Sequence, residues 1–230
     1  MGCKSQRGSA NSVIGALRPT SVDIRSYEGE LDTLLGFTPT GVSYYDDRPY
    51  ADIIRKGEAA RSYYSEAASA TRGSRKEMPL VGAVYWNAST VAIVDMEFGR
   101  PTLWRQSSVG GSFSSWSDNT LNLLGSSGGP ITECSLVAGV LAVSRSGIGG
   151  SGAYTIDFVS DSARYYAATE GRDYAGLIAD EGAGYTLAHT LRIVDAVVNA
   201  VAISPPLPHY PLDEYGRPAF AIACGTDGGV

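Results

Sequence analysis

The sequence predicts a mostly β protein made of propeller-like (WD40-like) blades of short antiparallel strands, with a β-sandwich as the alternative. From Pro79 onward, short apolar runs alternate with turn residues, a pattern typical of strands and not of helices. Gly 28 and Tyr 14 are both high for 230 residues, which favours strands and turns. Three segments repeat the order apolar strand, polar or glycine-rich turn, second strand: VYWNASTVAIVD, VLAVSRSGIGGSGAYTIDF and AFAIACGTDGGV. Another apolar strand precedes these pairs, as at Ser135–Ala138 and Val197–Ile203, and this order of an apolar strand followed by a hairpin is the one a propeller blade requires.

Residues 1–74 are predicted to form an N-terminal arm and a helical or irregular segment. Met1–Pro19 is polar and predicts an exposed arm, and Ser21–Ser26 alternates like a short strand. Glu28–Phe37 predicts one or two helical turns that end near Gly36.

A second helix is predicted to begin at Asp47. Aspartate is a favoured helix cap, and the Pro49 that follows is tolerated in a first turn. Ala59–Ala70 is expected to continue this helix. The composition changes at Thr71–Arg75, so we place the domain edge there and assign residues 75–230 to the β-domain.

Apolar runs define the strands of this domain in chain order. They are Leu80–Trp86, Thr90–Met96, Thr102–Gln106, Asn119–Leu124, Glu133–Ala138, Gly139–Ser144, Ala153–Phe158, Asp161–Thr169, Ile193–Ser204 and Ala219–Cys224. Glu170–Thr190 is predicted to be an irregular connection. The third repeat stops at Val230, where its return strand should begin, so the domain is predicted to be truncated at its C-terminus.

Bulk properties exclude several classes of partner. A net charge of -6 argues against nucleic acid or an anionic membrane. No apolar run has the length of about 18 residues that a membrane-spanning helix needs, and the N-terminus lacks the apolar core of a signal peptide. Cys3, Cys134 and Cys224 are odd in number and widely spaced, so neither a disulfide framework nor a metal site is predicted.

The best candidate for a catalytic nucleophile is Ser127. Its loop, GSSGGP, is similar to the nucleophile loop of chymotrypsin-like proteases, although Ser126 stands where that family has Asp. The mechanism needs a general-base histidine upstream of the serine, and both His189 and His209 lie downstream. We therefore predict no catalytic residue, no cofactor and no metal ligand.

Acidic residues leave one enzymatic alternative, a polysaccharide-degrading glycoside hydrolase of the tailspike type. Such enzymes use a pair of carboxylates, and the acidic candidates are Asp46-Asp47, Asp173, Asp180-Glu181 and Asp213-Glu214. Acids beside proline and glycine in loops are more commonly solvated turns. Non-catalytic function is therefore the first expectation.

Long segments of the chain resemble a family of phage-associated and marine metagenomic proteins. The matching positions lie within Ala51–Val230 and include Arg75-Lys76, Leu103-Trp104, Val140–Val143, Asp157-Phe158, Asn199–Ile203 and Thr226–Gly229. Members resemble tail-fibre or other virion components with a propeller-like β-domain. The resemblance implies a structural or adhesive, virion or extracellular protein, whose partners are other virion proteins or host surface polysaccharide.

A sugar ligand would be held by aromatic rings as well as by polar groups. The aromatic candidates are Trp86, Trp104, Trp116, Tyr165, Tyr166 and Tyr174. We select Trp104, Trp116 and Tyr174 as predicted ligand contacts and expect the others to pack in the core.

Overall fold

The structure is a computed structural model. It describes residues 28–109, 123–124, 129–147, 152–169, 171–174, 176–179, 185–189, 192–193, 195, 197–204, 212–217, 220–227 and 229. The predicted arm at Met1–Pro19 and the predicted strand at Ser21–Ser26 lie outside these residues.

The described chain is mostly β, and its strands form three antiparallel sheets. The first has four strands in chain order: β1 (Gly41–Asp46), β2 (Val81–Trp86), β3 (Thr90–Asp95) and β4 (Thr102–Ser108). The second has six: β5 (Ile131–Val137), β6 (Val140–Arg145), β7 (Gly152–Asp157), β8 (Ser162–Tyr166), β9 (Gly171–Tyr174) and β10 (Tyr185–His189). The third pairs β11 (Val198–Ile203) with β12 (Ile222–Thr226).

The helices are short and precede most of the strands. α1 spans Glu28–Leu35 and ends at Gly36, whose φ of 66° is left-handed, as the sequence predicts. α2 covers only Ala51–Arg55. The predicted helix over Ala59–Ala70 is wrong, because two 3-10 turns, Glu58–Ala60 and Ser62–Ser65, lie there instead.

The four- and six-stranded sheets face each other across the main core. Alternate side chains of β2 and β3, such as Val84 and Ile93, point into this core. Leu141, Tyr154 and Ile156 meet them from the opposing sheet. Since strand side chains alternate between faces, each sheet also has an outer face to cover.

Both outer faces are covered as well. α1 places Leu31 and Leu35 on the outer face of the four-stranded sheet. The β11–β12 hairpin places Val201 and Ile203 on the outer face of the six-stranded sheet. Strands β2, β3 and β6 are therefore buried at every position. This two-sided burial explains why they read as continuous apolar runs with no polar alternation.

The predicted propeller is not confirmed. Within the described ranges no sheet closes on itself, and the strands form sets of four, six and two, whereas a propeller repeats four-stranded blades. Two of the three predicted hairpins are present, as β2–β3 and β6–β7. In the third segment, β12 pairs with the earlier strand β11.

The predicted domain edge between residues 74 and 75 does not separate two packing units. β1, before the edge, pairs with β2, after it, in register from Gly41↔Trp86 to Asp46↔Val81. Arg72 also donates a hydrogen bond of 2.8 Å to the carbonyl of Trp104. The residues from 28 to 74 therefore complete the same sheet and core as the strands that follow.

Two strands, β9 and β10, occupy part of the predicted irregular connection at Glu170–Thr190. β9 is only four residues long, and its sequence GRDY carries two charged side chains. Its backbone pairs with β8 on one side and β10 on the other, and Tyr174 turns into the main core. These long-range pairings, and not local propensity, determine the strand. Leu123 and Leu124, predicted to end a strand, lie in a turn.

Asp47 holds the N-cap position of a 3-10 turn at Arg48–Tyr50, with Pro49 in its first turn as predicted, but it makes no side-chain capping hydrogen bond. Its Oδ1 accepts a hydrogen bond from the Ala138 N–H (2.8 Å) and its Oδ2 one from the Gly139 N–H (2.9 Å). Ala138 (φ 52°) and Gly139 (φ 78°) form the left-handed two-residue turn between β5 and β6. The carboxylate thus fastens the N-terminal segment to a hairpin of the six-stranded sheet.

Asp47 should make stability depend on pH in an unusual direction. Burial raises the pKa of its carboxyl from 3.8 to about 6, against the lowering effect of its two backbone hydrogen bonds. Between these values the folded state binds more protons than the unfolded state, so stability falls as pH rises through that window. We expect the free energy of unfolding of the wild type, minus that of Asp47→Asn, to fall by about 2.4 kcal/mol between pH 4 and pH 7.

Urea unfolding of both proteins across that range measures the difference. Asp46→Asn is the matched control, because a hydrogen bond and ion pair with Arg48 lower the pKa of Asp46. The stability that Asp46 contributes is instead lost as the pH falls below the usual aspartate range. A pH-independent difference between the wild type and Asp47→Asn would show that ionised Asp47 is not penalised by burial.

Candidate functional site

A cleft of about 620 Å³ lies between the outer face of the six-stranded sheet and the segment that leads into β12. Its floor is formed by outward side chains of β6, β7 and β8, and its wall by residues 213–217 and part of β12. Volumes of roughly 300–1,000 Å³ are usual for small-molecule sites. The lining residues are Val140, Thr155, Asp157, Ser160, Ser162, Arg164, Tyr166, Arg192, Ile193, Asp213, Glu214, Tyr215, Arg217, Phe220, Ile222 and Cys224.

Strand alternation explains the polar floor. On β7 and β8 the inward positions are Tyr154, Ile156, Ala163 and Tyr165, so the intervening residues face outward. The antiparallel register then places Asp157 opposite Ser162, and Thr155 opposite Arg164. Polar side chains from two strands are therefore brought together on one surface.

Arg217 is the central charged group of the cleft. Its terminal nitrogens donate to both oxygens of Asp157 (3.0 and 2.6 Å), and its Nε donates to Asp213 (2.9 Å). Burial alone lowers the pKa of Arg217, but hydrogen bonds and charge from Asp157 and Asp213 raise it overall. The arginine, only 4% exposed, thus ties the cleft wall to the sheet floor.

The wall segment, residues 213–217, is also held by hydrogen bonds within itself. Asp213 accepts hydrogen bonds from the backbone N–H groups of Tyr215 (3.0 Å) and Arg217 (2.8 Å). Gly216 has a φ of 80°, which a side chain would strain. The sequence DEYGR therefore encodes a tight turn that presents Glu214 and Tyr215 beside the cleft.

Aromatic rings complete the lining. Tyr166 lies on the floor, and Tyr215 and Phe220 come from the wall side. The Arg217 guanidinium lies 5.0 Å from the centre of the Phe220 ring, and that of Arg61 lies 5.2 Å from the Tyr215 ring. These cation–π contacts orient two of the three rings.

Cys224 supplies a thiol at the cleft. It is a free, partly buried cysteine, and burial raises the pKa of its thiol. Cys134, also free, is buried in the main core. Cys224 is therefore a useful reporter for occupancy of the cleft.

The predicted ligand-contact aromatics lie elsewhere. Trp104 is fully buried and packs edge-on against Tyr63 and Phe158, with ring centres 5.6 and 5.1 Å away. Tyr174 is 7% exposed and packs against Tyr185 on the inner face. Trp116 lies outside the described residues. In this fold neither Trp104 nor Tyr174 offers an open ring face to a ligand.

The predicted acidic candidates are dispersed. Asp213 and Glu214 line the cleft, and Asp173 pairs with the cleft residue Arg164 at 3.0 Å. Asp46 pairs with Arg48, and Asp47 binds the β5–β6 turn. Asp180 and Glu181, like Ser126, Ser127 and His209, lie outside the described residues. His189 is the last residue of β10.

Sequence reasoning missed Asp157, Arg164, Arg192 and Arg217 as members of one site. They come from separate parts of the chain, and only the strand register and the wall turn bring them together. Outward polar residues at alternate positions of β7 and β8 were the available signal. These residues indicate a site only because the β11–β12 hairpin leaves that part of the sheet face uncovered, which the sequence does not show.

Comparisons with known proteins assign no family: no protein-family model, no curated protein and no solved structure matches the chain. In the part of the chain that the structure describes, no group of three or more His, Cys, Asp or Glu residues is arranged to hold a metal ion. Over the same residues, no helix is long and apolar enough to cross a membrane.

Proposed function

We propose that this protein is a non-catalytic, saccharide-binding component of a phage particle, structural or adhesive in role, and that the cleft beside Arg217 is its ligand site. The observation that carries the ligand assignment is the composition of the cleft. Arginine, carboxylate and hydroxyl groups surround it together with three aromatic rings. The virion setting rests on the resemblance described above.

Saccharides suit this combination chemically. Their hydroxyl groups both donate and accept hydrogen bonds, so they fit a lining that contains acceptors and donors. Their C–H faces pack on aromatic rings, which Tyr166, Tyr215 and Phe220 supply. Host surface polysaccharide is accordingly the proposed partner, with other virion proteins as structural neighbours.

The ion pairs favour binding over hydrolysis. Cleavage of a glycosidic bond uses one carboxylic acid as proton donor and a second carboxylate as nucleophile or base. Asp157 and Asp213 are both held by Arg217, whose hydrogen bonds occupy their oxygens. Neither is free to act as the proton donor while the Arg217 contacts persist.

A glycan array of neutral and acidic bacterial surface saccharides tests the proposal. We expect retention of at least one saccharide, without release of shorter fragments. We also expect the bound saccharide to slow alkylation of Cys224, measured by peptide mapping at mildly alkaline pH. Tyr166→Ala should weaken retention, whereas Phe98→Ala, at a residue 77% exposed and outside the cleft lining, should not.

Three outcomes would contradict parts of this proposal. An absence of retention would reject saccharide binding. Retention that neither protects Cys224 nor responds to Tyr166→Ala would place the site elsewhere. Released oligosaccharides would establish the polysaccharide-degrading alternative, and loss of release in Asp213→Asn or Glu214→Gln would identify the carboxylate used.

A further inference from the structure

We infer that the cleft selects saccharides that carry a carboxylate, and that Arg164 and Arg192 bind this carboxylate. The inference rests on the proposed function and specifies its ligand class. It comes from the difference between the three arginines that line the cleft. Arg217 is buried in ion pairs within the fold, and Arg164 and Arg192 are exposed to solvent.

Arg217 has a structural role, because its guanidinium is already paired with two carboxylates. It is 4% exposed, and Asp157 and Asp213 together take hydrogen bonds from its Nε and both terminal nitrogens. Binding a ligand anion there would require breaking these contacts in a buried position. Arg217 therefore shapes the cleft and does not serve as the anion-binding group.

Arg164 and Arg192, unlike Arg217, are both exposed to solvent. The Arg164 side chain is 54% exposed; it hydrogen-bonds with Tyr166 and pairs with Asp173, itself 36% exposed, at 3.0 Å. Arg192 is also exposed and lines the same cleft. Ion pairs between exposed groups are weak, so a ligand carboxylate can share or replace Asp173. The planar guanidinium suits a carboxylate, since two parallel hydrogen bonds can form.

The neighbours of Arg164 add a second polar contact. Thr155 lies directly opposite Arg164 in the β7–β8 register and is 6% exposed on the cleft floor. Among the described residues, its hydroxyl makes no side-chain hydrogen bond. A carboxylate at Arg164 would give this hydroxyl an acceptor.

The acids of the cleft do not cancel this preference. Asp157 and Asp213 share Arg217, which balances one of their two negative charges and holds both carboxylates beside its buried guanidinium. Glu214, exposed on the wall turn, makes no ion pair within the described part of the chain and adds to the charge that opposes an anion. Replacing Glu214 is therefore a control, because it should not lower the affinity for an anionic ligand as the arginine variants do.

The test uses an array on which oligogalacturonates, sialyl-oligosaccharides and glucuronate-containing capsule fragments stand beside neutral glucans and galactans. The strongest acidic ligand is then compared with the same saccharide after methyl esterification of its carboxylates. We expect esterification to weaken binding about ten- to hundredfold, the usual range for losing charge-assisted hydrogen bonds. Arg164→Gln and Arg192→Gln should each weaken binding of the acid form and leave the ester nearly unchanged, whereas Glu214→Gln should keep or increase affinity.

Binding of neutral saccharides alone, or equal binding of acid and ester, would overturn this inference and leave the proposed function intact. Acid-selective binding that neither arginine variant weakens would overturn the assignment of Arg164 and Arg192. Failure of every saccharide on the array would instead reject the proposed function itself. Circular dichroism of each variant confirms folding, which we expect to be preserved because both arginine side chains are exposed.

Discussion

Replacing Trp104 with alanine should lower the free energy of unfolding by about 4 kcal/mol, in the range measured for large aromatic residues removed from cores. Trp104 is fully buried. Tyr63 and Phe158 meet its ring edge-on, and the Arg72 guanidinium lies 5.0 Å from its centre. Loss of the indole would leave a cavity where the four-stranded sheet, the six-stranded sheet and the 3-10 turn at Ser62–Ser65 meet.

Urea unfolding followed by circular dichroism measures the effect. Trp104→Phe should cost far less, because it keeps an aromatic ring and removes an Nε1–H that has no hydrogen-bond partner among the described residues. Phe98→Ala is the surface control and should change stability by less than about 0.5 kcal/mol. If Trp104→Ala were as mild as Phe98→Ala, Trp104 would have to be more exposed than this fold allows, and the predicted ligand role would regain support.

Arg217→Met should destabilise the protein by about 3 kcal/mol, the lower end for breaking a buried ion pair by removing one partner. Methionine keeps similar length and apolar contact with Phe220, but it leaves Asp157 and Asp213 without their shared cation. Their side chains are 17% and 32% exposed, so water offsets part of the loss. Because Arg217 ties wall to floor, saccharide binding should be lost as well.

Arg100→Met is the matched control for this variant. Arg100 also pairs with a carboxylate, Glu30 at 3.3 Å, but the two side chains are 75% and 54% exposed. Such exposed pairs contribute about 0–1 kcal/mol. Asp157→Asn added to Arg217→Met should recover part of the lost stability, since it removes one of the two unpaired charges. Equal effects of Arg217→Met and Arg100→Met would show that the ion triad does not stabilise the wall.

Individual strands were predicted well where each strand carries its own apolar signal. β2, β3, β6 and β7 lie within a residue or two of the predicted runs. Two-sided burial makes β2, β3 and most of β6 apolar, and β7 carries large apolar residues on its inner face. β9 gave no such signal, since GRDY becomes a strand only through pairing with β8 and β10. The arrangement into sheets depends on the same long-range pairings, which explains why the propeller prediction is not confirmed.

The role of single polar residues was the least predictable feature. Asp47 has the local pattern of a helix cap, yet its carboxylate binds backbone groups 91 and 92 residues away. Asp213 was recognised only as a member of an acidic pair. Its partner Arg217 is four residues away, but Asp157, which shares that arginine, is 60 residues away. Sequence spacing carries no information on such distant neighbours.

The sequence by itself determined the secondary structure class, the positions of most strands, the end of the first helix at Gly36, and the apolar faces available for burial. These properties depend on local backbone preferences and on the alternation of side chains along each strand. Only the tertiary structure decided that two sheets enclose one core, that Trp104 lies within it, and that Asp157, Arg164 and Arg217 line one cleft. The physical reason is that strand pairing and ion pairing join residues far apart in the chain, and the free energy of those contacts exists only once the sheets have packed.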